Sequence, residues 1–169
     1  MWSAEEIITY WFGKETPDPL PSESIRNRWF RADKKFDREI RRRFMSIVLL
    51  AAEGGFDHWL PNAKGYLAII LILDQFPRHI YRNTPMAFDF DRDARRVCRA
   101  GLKAGADAEL SLIQRAFFYM PLKHSERVAD QKESLALHQQ LLASACKGME
   151  HDLVASFVKV AEDHYHTIK

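Results

Sequence analysis

Cysteine, glycine and proline are all scarce in this 169-residue chain, with two, seven and seven copies. Cys98 and Cys146 stand far apart and alone, which excludes a disulfide framework and a zinc ribbon and points to a reducing, cytoplasmic setting. Long apolar runs are missing too. The longest, Tyr66 to Leu73, has eight residues, far short of the roughly 20 that a bilayer-spanning helix needs. The opening Met-Trp-Ser-Ala-Glu-Glu has neither the basic start nor the small-residue cleavage site of a secretory signal. Neither sign of charge prevails, since 25 Lys and Arg against 23 Asp and Glu leave a net charge of +2. Nothing in that balance favours a nucleic-acid or membrane partner.

What remains is 47% hydrophobic and patterned with helical period. Ser3 and Glu6 have the spacing of a capping box for a helix to Phe12, which Gly13 stops. Past the prolines at 17, 19 and 21, Ser22 is placed to cap a short helix through Arg28 and Trp29. Asp33 caps the clearest amphipathic helix, with Phe36, Ile40, Phe44, Ile47 and Val48 as its apolar stripe and Gly54-Gly55 as its end. Trp59 is expected as a hydrophobic plug in the next connection. From Ala63 to Phe76 the pattern is apolar on nearly every side, which predicts a central buried helix. The β-branched Ile69, Ile70 and Ile72 suit a strand as well, but no partner strand is in sight. Further helices are expected over 91–104, 109–120, 125–146 and 150–168. About eight helices on short loops predict a single all-α domain in antiparallel pairs, spanning 1–169.

Two segments echo one another. Ile70 to His79 and Ala116 to His124 both run an apolar helix into a proline followed by basic residues, with Pro77 and Pro121 separated by 44 positions. That period falls in the range of helical-repeat arrays, although buried helices often stop at proline in any case.

The same two segments hold the residues best suited to chemistry. Asp74 ends a buried apolar stretch, where a charge is costly unless paired, and Arg78 and Arg82 are its nearest cations. Arginine grips carboxylate and phosphate groups bidentately, so the segment reads either as an anion pocket or as a structural ion pair. In the second segment Ser125 is expected to cap a helix, with Glu126 in its first turn. His124 just before it is placed as an acid or base, or as a satisfied structural histidine.

Other features read as bland. His164 and His166 are two apart on a helix and point to different sides, so no metal site is expected. No phosphate-cradling glycine loop is present, and no cofactor is expected. The stretch from Arg26 to Arg43 carries nine basic residues against three acidic ones around Trp29 and Phe30. Since Phe36, Ile40 and Phe44 claim one face for the core, these charges read as a solvated outer side rather than a nucleic-acid surface.

Several motifs together resemble the bacterial family catalogued as domain of unknown function 924. They are Trp11-Phe12, Trp29-Phe-Arg-Ala-Asp33, Phe36-Asp37, Arg43-Phe44, Trp59, Leu73-Asp-Gln-Phe-Pro-Arg78, Ala87-Phe88, Phe118-Tyr-Met-Pro121 and His124-Ser-Glu126, in order along the chain. The resemblance implies a tetratricopeptide-like superhelical fold and brings no activity with it. His79 departs from the asparagine usual there in the family. The resemblance also implies a second Phe-Pro-His-Arg-Asn-type segment further on, so the expectation is either a shortened member of the family or a chain lacking a C-terminal segment found in relatives.

The leading expectation is a binding module whose polar site uses Asp74, Arg78, Arg82, His124 and Glu126. Its ligand would be a small anion or the acidic group of a protein partner. The competing expectations are a hydrolase with His124 as base and Arg78 stabilising negative charge, and an interaction scaffold without a small-molecule site. Oligomeric state is not legible in the sequence.

Overall fold

A computed structural model describes residues 1–168; Lys169, the last position of the expected domain, lies outside them. The described residues form α-helices, short 3-10 turns and loops, with no strand, so the buried stretch at 67–73 is helical. Ten α-helical segments carry the fold: α1 (Ala4–Phe12), α2 (Glu23–Phe30), α3 (Lys34–Ala52), α4 (Ala63–Ile70), α5 (Phe76–Ile80), α6 (Asp91–Lys103), α7 (Leu112–Phe118), α8 (Met120–Lys123), α9 (Val128–Ser144) and α10 (Met149–Ile168).

The caps show why several of these begin where they do. Ser3 and Glu6 make both bonds of the capping box at α1. Ser22 accepts from Ile25 N–H at α2, and Asp33 accepts from the N–H groups of Lys35 and Phe36 at α3. Ser111 and Gln114 form a second capping box at α7, so that helix starts three residues later than periodicity alone suggests. Gly13 ends α1 at φ +85°, a conformation that a side chain would strain.

The all-apolar pattern of α4 matches its burial, because α1, α6 and α7 all pack against it. Trp59 stacks on Phe56 with ring centroids 4.3 Å apart, and its carbonyl presses so close to Gly65 that any Cβ there would come within 2.2 Å of it. A run of edge-to-face aromatics, Trp11, Trp29, Phe117 and Phe157, joins α1, α2, α7 and α10. The basic stretch behaves as a solvated face: Phe36, Ile40 and Phe44 are buried while Arg38, Arg41, Arg42 and Arg43 lie outside the core.

Neither proline ends its helix. Between α4 and α5, residues Leu71–Gln75 form one wide π-helical turn, in which Phe76 N–H reaches back to Leu71 C=O. A proline normally clashes with the carbonyl four residues before it, and widening the preceding turn relieves that conflict. The helical path therefore continues through Pro77 to Ile80. Pro121 likewise sits in the first turn of α8, after a break at Tyr119. Both motifs gain a turn beyond the expected stop, which carries Arg78 and Lys123 onward into the interior. Ser125 does not cap α9, which starts at Val128 after Arg127. Its hydroxyl is engaged with Asp130 instead.

Candidate functional site

The wide turn displaces Asp74 into the protein interior, where it is fully buried. Its Oδ1 lies 2.7 Å from His124 Nδ1, and Gln75 Nε2 donates to its Oδ2 at 2.7 Å. Arg78 NH1 approaches Oδ1 at 3.5 Å. Burial alone would raise the Asp74 pKa, but the charges of His124 and Arg78 and the bonds from His124 and Gln75 outweigh it and bring the carboxyl down to about 2. An ionised carboxylate can only accept, so the His124 proton sits on Nδ1 and Nε2 carries the lone pair. Burial depresses the His124 pKa despite Asp74, keeping the ring neutral near pH 7. No hydrogen bond occupies Nε2 among the described residues.

Arg78 has a second and closer carboxylate. Its NH1 and NH2 grip Asp91 at 2.9 and 3.0 Å, and NH1 also donates to the Asp74 carbonyl at 2.5 Å. Three of the five guanidinium N–H groups are thereby used, leaving two for a ligand. Asp91 opens α6, where the helix dipole favours a negative charge, and it was not singled out from the sequence.

Lys123 is the other residue that sequence reasoning passed over, although it stands beside His124. Its side chain is only 6% exposed and has no carboxylate or hydrogen-bond partner for Nζ among the described residues. The ammonium faces the Phe157 ring, 5.9 Å from the centroid. Burial pushes its pKa down to about 8, although Asp74 pulls it up. The carbonyl of Lys123 is held by Gln131 Nε2 and by His164 Nδ1, and Arg99 grips Asp130, which accepts from Ser125. These bonds fasten the turn that presents Lys123 and His124.

Two clefts meet at Arg78, Lys123 and His124. The outer one, about 800 Å³, is edged by Phe88, Asp91, Arg92, Arg95, Glu126 and Arg127. The inner one, about 490 Å³, is lined by Trp29, Phe30, Phe117, Met120 and Phe157. The structure thus brings together Asp74, Arg78 and His124, with Glu126 exposed on the outer rim. Arg82 is not among them. The α5 helix ends at Ile80, and Arg82 swings away to Asp37, gripping it at 2.6 and 3.0 Å beside His79.

The family model described as a bacterial protein of unknown function (DUF924) matches residues 7–169. The chain belongs to the DUF924 family. It is similar to the solved structure of a protein of unknown function from Agrobacterium tumefaciens, with 30% identity and a TM-score of 0.80 over 98% of this chain and 81% of that one. No curated protein matches the sequence. In this DUF924 chain the chemically equipped place is therefore defined by geometry alone: an ionised aspartate orienting a neutral imidazole, an arginine with donors to spare, and an unpaired lysine at the junction of a polar and an aromatic cleft. Among the described residues no group of three or more His, Cys, Asp or Glu side chains is disposed to hold a metal ion. No helix there is long and apolar enough to cross a membrane.

Proposed function

We propose that this DUF924 chain is a cytoplasmic helical binding module that takes a small anion, a carboxylate or phosphate, where its two clefts meet. The observation that carries the reading is the meeting of the two proline segments at Asp74 and His124, 2.7 Å apart, with Arg78 and Lys123 facing the same space. Asp74 neutralises and orients; the free donors of Arg78 and the buried ammonium of Lys123 attract the anion, and Arg92 and Arg95 on the rim add to the field. A buried cation without a counterion is costly to maintain, and a bound anion would remove that cost. Arg82 takes no part.

A thermal-shift titration with inorganic phosphate, pyruvate and succinate tests the reading. A ligand at about a hundred times its dissociation constant adds roughly 2.7 kcal/mol, worth roughly 5–10 °C in a chain of this size. Arg78→Lys, which keeps the charge but loses the fork, should weaken the shift. Flat melting curves with all three anions would refute the site. The Asp74–His124 pair also favours one second reading, a hydrolase with His124 Nε2 as general base. Turnover of a phosphate or carboxylate ester, lost in His124→Gln with binding retained, would support it.

A further inference from the structure

We propose that Lys123 is a reactive amine that takes up the carbonyl carbon of a small 2-oxo acid as an imine, a reading that rests on the anion site above and names its substrate class. Four features of the structure converge on it. The lysine is only 6% exposed yet lines both clefts, and among the described residues no carboxylate clamps it as an ammonium. The walls on its inner side are aromatic, and a desolvated setting favours the neutral amine that can attack a carbonyl. Arg78 lines the same two clefts with two unused donors, suited to the carboxylate next to that carbonyl. His124, held in one tautomer by Asp74 and with no partner on Nε2 among the described residues, lines both clefts together with the lysine.

The chemistry balances without an oxidant or a cofactor. Neutral Nζ bonds to the carbonyl carbon as the C–O π pair moves to oxygen, and His124 Nε2 carries one proton from the nitrogen to that oxygen, giving a neutral carbinolamine. The nitrogen lone pair then forms the C=N bond as the hydroxyl departs, and His124 Nε2 carries the second nitrogen proton to that hydroxyl, so water leaves and a neutral imine remains. One amine and one carbonyl give one imine and one water. The depressed Lys123 pKa, about 8, leaves roughly a tenth of the amine neutral at pH 7, against well under a thousandth for an ordinary lysine.

The experiment is reductive trapping on the full chain. Incubation with pyruvate or glyoxylate and sodium cyanoborohydride, followed by intact mass and peptide mapping, should give one adduct, located on Lys123. It should vanish in Lys123→Arg and form at least about a hundredfold more slowly in His124→Gln, the low end for a lost acid-base group. Urea-unfolded chain should show no preference for Lys123. Absence of an adduct, or labelling of Lys123 no faster than exposed lysines such as Lys34 and Lys132, overturns the proposal. If pyruvate still raises the melting temperature without an adduct, the imine fails and the anion site stands; if neither occurs, both fail.

Discussion

The molecule holds the same three side chains, aspartate, histidine and arginine, in two neighbouring clusters with different outcomes. In one, His79 Nδ1 lies 2.8 Å from Asp37 and Arg82 grips that carboxylate with two bonds. The His79 ring is enclosed, edge-on to Trp11 and Phe36, and none of the three residues lines either cleft. In the other, Asp74 holds His124, but Arg78 turns to Asp91, the Lys123 ammonium lies over the Phe157 ring, and Arg78, Lys123 and His124 all line both clefts. The first cluster is walled off from both clefts; the second opens onto them. Identical residue types thus separate into a brace and a candidate site by whether they border a cleft.

The largest expected difference between the clusters is in stability. Asp74→Ala would leave the His124 Nδ1–H and the Gln75 amide without their partner in the interior and should cost about 3 kcal/mol, read as a fall in the urea midpoint. Asp37→Ala, whose partner Arg82 is one-third exposed, should cost markedly less because solvent screens the pair. The reverse order would mean that the Asp37 cluster, not Asp74, anchors the fold. Next comes a substitution of opposite sign. Lys123→Met replaces a buried cation by an apolar chain of similar length and should raise stability by about 2–3 kcal/mol at pH 7 while removing the pyruvate response. Because the folded pKa of Lys123 is depressed to about 8, its cost is full below pH 8 and disappears as pH rises towards the ordinary 10.5. Wild-type stability should therefore climb over that window relative to Lys123→Met. A destabilised Lys123→Met would mark the lysine as a brace after all.

Acid separates the clusters further. The Asp74 carboxyl, brought down from 3.8 to about 2, contributes stability that is fully present above pH 3.8 and lost as pH falls through 2. That contribution is about 2 kcal/mol, and Asp74→Asn should flatten this part of a denaturant-midpoint profile.

Much of this was legible in the chain. Helix caps at Ser3, Ser22 and Asp33 and the apolar stripe of α3 are local signals, and they recur in the structure at the expected places. The pairing of the two proline motifs could be anticipated because both put a polar group at the end of a buried helix. What was not legible depends on turn geometry. The π-helical turn at Leu71–Gln75 has no residue signature, so the continuation of the helix through Pro77 could not be read. The early end of α5 sends Arg82 to Asp37, although spacing by four from Arg78 implies a shared face. Lys123 was hidden for a related reason: a lysine reads as exposed unless its helix is known to run one turn further inward.

The smallest effect is the most discriminating. His79 is the enclosed imidazole of the first cluster, so His79→Asn tests whether that cluster is only a brace. An asparagine amide can still donate to Asp37, while the ring contacts to Trp11 and Phe36 are lost, a change worth about 1 kcal/mol. Burial lowers the His79 pKa against the pull of Asp37, so its contribution is full above pH 6.5 and fades below that value as pH falls towards the lowered folded pKa. The gap between wild type and variant should accordingly narrow from pH 7.5 to pH 5.5 in paired melting curves. The pyruvate-induced shift should be unchanged, because the His79 ring is enclosed by aromatics and lines neither cleft. Loss of that shift in His79→Asn would show that the two clusters work as one site, and the distinction between a closed brace and an open one would collapse.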